Sequence, residues 1–138
     1  MNRKAGVTNF IVLSLLLSVS LSYGQNPDKK HKYIRPTNDK SIETDLHSNK
    51  TVIVDFWAIW CKPCHILYPE YEKAAKQMHN QVTFYKLDVD NNKATVAKYS
   101  ITNIPVLIIF KNGKEVKRIA GTTQAERIVA DLQEILKK

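Results

Sequence analysis

The chain has 138 residues, 43% hydrophobic and 25% charged, which is room for one globular domain and too little for two. Two cysteines, four glycines and five prolines, without repeats or low-complexity tracts, exclude disulfide scaffolds, collagen-like chains, solenoids and a four-cysteine zinc site. A formal charge of +8 raises the question of an anionic partner, and the answer depends on how much of the chain survives processing.

Arg3 and Lys4 precede an uncharged stretch from Ala5 to Gln25 whose centre, Phe10 to Leu21, is rich in Leu, Val and Ile. This pattern resembles a secretory signal peptide, with Ser22 and Gly24 as the small residues before a cut at Gln25. The alternative is an uncleaved anchor, but an apolar centre of about 12 residues is shorter than the roughly 20 that a spanning helix needs. No cysteine stands directly after that centre, so a lipid anchor is not expected. Cleavage would leave 114 residues with a net charge of +6. From Gln25 to Thr37 the chain is polar, basic and proline-punctuated, and it reads as a linker or loosely docked arm. Tyr33 and Ile34 are its candidates for a short edge strand. The run Lys29, Lys30, His31 and Lys32 reads as a solvated basic tail, and export argues against nucleic acid. The expected organisation is a signal peptide over 1–24, a basic N-terminal arm over 25–37 and one folded domain over 38–138.

Thr37 or Asn38 can cap a short helix that places Ile42 and Leu46 on one face. Thr51 to Ala58 is β-branched and aromatic almost throughout, the pattern of a central strand covered on both faces. Pro63 suits the first turn of a long helix, along which Cys64, Leu67, Tyr71, Ala74, Ala75 and Met78 recur at helical spacing. Gln81 to Leu87 alternates as a strand, Lys93 to Tyr99 reads as a short helix, and Val106 to Phe110 is another apolar strand. Asn112-Gly113 predicts a hairpin into Glu115 to Ala120, and Thr123 to Leu136 closes the chain as an amphipathic helix. The fold class is α/β, a mixed central β-sheet flanked by helices on both faces. Strand–helix alternation up to Val106–Phe110 implies parallel pairing, with the hairpin adding an antiparallel edge.

The chemistry lies where the central strand gives way to the long helix, at Trp60-Cys61-Lys62-Pro63-Cys64. Two intervening residues let the sulfurs meet across one turn, so a disulfide can open and close with little backbone movement. Cys61 stands at the helix start, where unpaired amides and the positive end of the helix dipole favour a thiolate, and Lys62 acts in the same direction. Cys64 lies one turn further along the apolar stripe and is expected to be shielded. Attack is therefore assigned to Cys61 and resolution to Cys64.

These residues resemble the thioredoxin family, and more than the Cys-x-x-Cys motif carries the likeness. Val54-Asp55-Phe56-Trp57-Ala58 is similar to the family's strand leading into the active site, and Pro69 falls where its helix is kinked. Ile104-Pro105 before an apolar strand resembles the family's cis-proline loop, followed by Lys111-Asn112-Gly113 and by Gly121. The likeness runs from about Asp39 to Leu136 and implies the thioredoxin fold for 38–138.

The resemblance implies that Asp55 is an interior carboxylate moving a proton as Cys64 becomes an attacking thiolate, with Lys86 as its partner. It implies a cis bond before Pro105, setting the Ile104 backbone beside the disulfide to receive an extended substrate segment. Trp60, Lys62 and Pro63 complete the expected substrate surface. The implied activity is protein disulfide reduction by dithiol–disulfide exchange outside the cytoplasm, without metal or organic cofactor. Its partners would be disulfide-containing proteins and a membrane or soluble electron donor, with the protein itself a monomer. Oxidase or isomerase action in an oxidising compartment is the alternative direction. A different class, capture of a soft metal ion by Cys61, Cys64 and His65, would have only three adjacent ligands.

Overall fold

The computed structural model describes residues 32–138; the expected signal segment and the arm up to His31 lie outside the described residues. Among the described residues nine elements follow in chain order: β1 (Ile34–Pro36), α1 (Ile42–Ser48), β2 (Thr51–Trp57), α2 (Lys62–Met78), β3 (Thr83–Asp88), α3 (Lys93–Lys98), β4 (Val106–Lys111), β5 (Lys114–Ala120) and α4 (Ala125–Lys137). The sheet order is β1-β3-β2-β4-β5, so the β-branched run of β2 is the central strand, buried from Thr51 to Phe56.

Side chains alternate across β2. Ile53 packs with Leu67, Tyr71, Phe84, Ile128 and Leu132 in a core shared with α2 and α4. Val52, Val54 and Phe56 pack on the opposite face with Ile42 and Leu46 of α1 and with both cysteines. Tyr71 reaches from α2 to the sheet, its hydroxyl within 3.0 Å of the Ile53 carbonyl and 2.8 Å of the Tyr85 carbonyl. It thereby fastens the helix carrying Cys64 to the junction of β2 and β3.

Three expectations change. β4 does not join the sheet parallel: it pairs antiparallel with β2 through Phe56↔Val106 to Thr51↔Lys111. The chain leaves β3 opposite Trp57 and re-enters opposite Phe56, at the same end of β2; the six-residue α3, about 9 Å long, does not itself carry it back along the roughly 20 Å of the sheet. The arm, in turn, is docked at its C-terminal end. Ile34 is buried and pairs with Phe84 in a parallel edge strand, and the Thr37 amide donates to the Lys86 carbonyl at 3.0 Å. Neither Thr37 nor Asn38 is the cap of α1; Ser41 is, and the Asn38 side chain instead holds the preceding turn through the amides of Lys40 and Ser41.

The expected hairpin forms, with Asn112 at φ 51° and Gly113 at φ 77°. A Cβ at Gly113 would also run into the His47 ring. Among the described residues no helix is long and apolar enough to cross a membrane.

Candidate active site

Beyond Trp57 the chain turns before α2 begins. The Cys61 amide donates to the Ala58 carbonyl at 3.1 Å, closing a β-turn with Ile59 and Trp60 at its centre. Cys61 is the N-cap of α2, and Pro63 occupies the first turn, where a missing amide hydrogen leaves no broken helical bond.

Cys61 and Cys64 are joined by a disulfide with their Cα atoms 5.3 Å apart. The Cys64 amide donates to Cys61 Sγ at 3.2 Å. A sulfur that accepts an amide at a helix N-terminus is favoured as a thiolate when the bond opens. Exposure does not separate the two cysteines, at 3% and 2%. Their surroundings do: Cys61 Sγ meets the helix amide, whereas Cys64 lines a cavity of about 200 Å³ with Asp55, Trp57, His65, Tyr68 and Lys86.

Asp55 sits on the central strand because β2 alternates Ile53, Asp55 and Trp57 toward α2. It is buried, and its Oδ1 has no hydrogen-bond partner. Burial pushes its carboxyl up to about 7, with the Lys86 charge pulling it part of the way back. Lys86 lies directly opposite Asp55 in the parallel β2–β3 register. Its Nζ hovers over the rings of Trp57 and Tyr68, 5.6 and 5.8 Å from their centroids, so it acts on Asp55 through space.

The Ile104–Pro105 bond is cis. Ile104 packs against the cluster containing both cysteines, and the Pro105 carbonyl accepts the Gly121 amide at 2.9 Å. Gly121 has φ 78°, a conformation that suits glycine. A groove of about 180 Å³ runs between Trp60 and Ile104, lined also by Val89, Asp90, Lys93 and Val96. Trp60 is held on that side by its indole N–H, which donates to Asp90 Oδ2 at 2.7 Å. Ile59, Trp60 and Ile66 are 75%, 67% and 60% exposed, an apolar surface around a closed disulfide. Lys62 and Pro63 are exposed beside it.

The structure thus gathers Asp55, Lys86 and Cys64 around one cavity, and Trp60 and Ile104 around one groove. Tyr68 and Asp90 escaped the sequence reading. Tyr68 was findable, since it stands four residues from Cys64 on the same helix; Asp90 meets Trp60 only through the tertiary fold. His65 does not join the cysteines as a ligand set: its Nε2 is 2.8 Å from the Ile59 carbonyl, and among the described residues no three His, Cys, Asp or Glu side chains could hold a metal ion.

A disulfide that opens with little movement at a helix start, over a carboxyl poised near neutrality, is built for exchange with another disulfide, the work of the thiol–disulfide oxidoreductases. Known proteins agree. The family model described as Thioredoxin matches residues 33–134. Thioredoxins of Mycobacterium bovis and Staphylococcus aureus are both 42% identical, over 99 and 100 residues; the matches cover 71% and 72% of this chain and 85% and 88% of theirs. A solved thioredoxin variant from Halobacterium salinarum superposes with a TM-score of 0.68 at 26% identity, covering 73% of this chain and 88% of that one. The chain belongs to the thioredoxin family and is a disulfide reductase of that family.

Proposed function

We propose that the protein reduces disulfides of proteins outside the cytoplasm, with Cys61 as nucleophile and Cys64 as resolving thiol. The observation that carries the residue assignment is the different setting of the two sulfurs, one on the α2 amide and one on the Asp55 cavity. Cys61 thiolate attacks one sulfur of the substrate disulfide and forms a mixed disulfide, while the other substrate sulfur leaves and takes up a proton. Cys64 then passes its proton to Asp55 and attacks Cys61. The Cys61–substrate bond breaks as the Cys61–Cys64 bond forms, the second substrate sulfur leaves and takes up a proton from solvent, and two electrons have moved from the cysteine pair to the substrate. A segment lying along the groove beside Trp60 and Ile104 would present its disulfide to Cys61, with Lys62 and Pro63 at the other margin.

The location outside the cytoplasm rests on Arg3, Lys4 and the apolar run that follows them. Determining the N-terminus of the protein from a cell-envelope fraction tests it: a chain beginning at or near Gln25 supports export, and intact Met1 in the cytosol refutes it. The electron donor would be a membrane or soluble dithiol protein. The reducing direction rests on the Trp60-Cys61-x-Pro63-Cys64 pattern and on the absence of a large helical insertion between β3 and β4. Equilibrating the protein with glutathione buffers tests it, and a potential near the strongly oxidising value of about −120 mV sinks the reductase reading.

Lys62 tunes this potential. Its charge favours the Cys61 thiolate and hence the reduced form, so Lys62→Gly should make the potential more negative. Lys62 is exposed and screened, and about 30 mV corresponds to 1.4 kcal/mol, so the shift should be at most a few tens of millivolts. A more positive potential in the same glutathione titration would contradict this role.

A further inference from the structure

His65 follows the resolving cysteine and takes no part in the exchange steps, yet its imidazole has a defined task in the geometry. The turn from Ala58 to Cys61 closes through the Cys61 amide and the Ala58 carbonyl, which leaves the carbonyl of its central peptide, that of Ile59, without a partner inside the turn. His65 Nε2 sits 2.8 Å from that oxygen. A carbonyl can only accept, so Nε2 carries the hydrogen and donates.

The central peptide is the part of a β-turn whose rotation distinguishes one turn type from another. It joins Ile59 to Trp60, whose side chains are the most exposed large apolar groups beside the disulfide, so holding it still steadies the turn that carries both. Reversing the peptide would demand a positive φ at Trp60, costly for a bulky residue; among the described non-glycine residues only Ser100 and Asn112 have one. The His65 bond reinforces that bias and restrains smaller rocking of the turn. Trp60 is then fixed from two sides, by its turn and by the Asp90 carboxylate.

We infer that His65 is a positioning residue for protein substrates: from the first turns of α2 it clamps the Ile59 carbonyl and so presents Ile59 and Trp60 as a preformed docking lip. The inference rests on disulfide exchange at Cys61, which supplies the reason for a lip at that place. The clamp does not depend on a particular protonation state. Nε2 donates both in the neutral tautomer that carries its hydrogen there and in the cation.

The test compares the full chain with its His65→Ala and His65→Gln variants, because the glutamine Nε2 can reach the position of the imidazole Nε2. For insulin disulfides, His65→Ala should raise KM about three- to tenfold, the scale of one lost hydrogen bond and its ordering effect, while kcat changes less than about twofold. His65→Gln should restore KM to within about twofold of the parent. In the oxidised protein the Ile59 and Trp60 amide resonances and the Trp60 indole N–H resonance should move in His65→Ala and return in His65→Gln. Unmoved resonances, an unchanged KM, or a glutamine variant as impaired as the alanine would each overturn the clamp. The resonances are read without turnover, so they judge the clamp even if the parent fails to reduce insulin, a failure that would count against the reductase reading.

Discussion

Asp55→Asn should slow reduction of a protein disulfide at pH 7 by about tenfold or more and at the same time stabilise the fold. Both effects come from one group. The Asp55 carboxyl is held at about 7 instead of 3.8, with burial as the leading cause and no hydrogen bond to its Oδ1. Near neutrality it exists in both forms, so it can take the proton that Cys64 must lose before attacking the mixed disulfide. Asparagine cannot, and a rate for that step that rises through about pH 7 in the parent should lose this inflection in the variant.

The sign of the stability effect follows from proton linkage. The native state holds a proton on Asp55 that the unfolded chain has released between pH 3.8 and about 7, so native stability falls with rising pH across that window. It is fully present below the lower value, and the loss is complete above the upper one. At pH 9 the cost reaches about 4 kcal/mol, using 1.36 kcal/mol for each tenfold step, and Asp55→Asn removes it. Urea unfolding of the oxidised proteins checks this: the two should be close near pH 3.5 and separate progressively to pH 9, the variant being the more stable. Equal stability at both extremes would mean that Asp55 does not bear this burial cost.

Cys64→Ser should convert the protein from a catalyst into a trap. With the resolving sulfur gone, the mixed disulfide on Cys61 has no neighbouring thiol to break it, and substrate proteins should accumulate as adducts that dithiothreitol releases. Cys61→Ser should form no such adducts and lose at least roughly a thousandfold in turnover, the scale expected when a covalent nucleophile is removed. Mass spectrometry of the adducts checks both, and adducts of equal yield in the two variants would abolish the assigned asymmetry. The trapped proteins would also name the physiological substrates.

Much of this site was legible because its residues are close in sequence or governed by local rules. Cys61, Pro63 and Cys64 follow from helix-start chemistry, whereas Asp55 was marked by the family resemblance, with the apolar residues on either side of it speaking for burial. The sheet direction at β4 was misread because alternation records the order of elements but not at which end of the sheet the chain re-enters. β1 was visible only as Tyr33 and Ile34 within a basic stretch; its pairing with β3 depends on an edge some 50 residues away. Lys86 entered as the partner of Asp55 through the family resemblance; its place directly opposite Asp55 comes from the strand register, and its position over Trp57 and Tyr68 belongs to the packed cavity and leaves no mark in spacing. His65 drew attention as a ligand because histidine beside cysteine suggests metal; its bond to Ile59 depends on a turn that only the folded chain closes.

The assignment of attack to Cys61 and resolution to Cys64 rests on the helix amide at Cys61 Sγ and the Asp55 cavity beside Cys64. Brief alkylation of the fully reduced protein with iodoacetamide at pH 7, followed by peptide mapping, tests it most directly. The label should appear on Cys61 well before Cys64. Label arriving first on Cys64, or equally on both sulfurs, would contradict it.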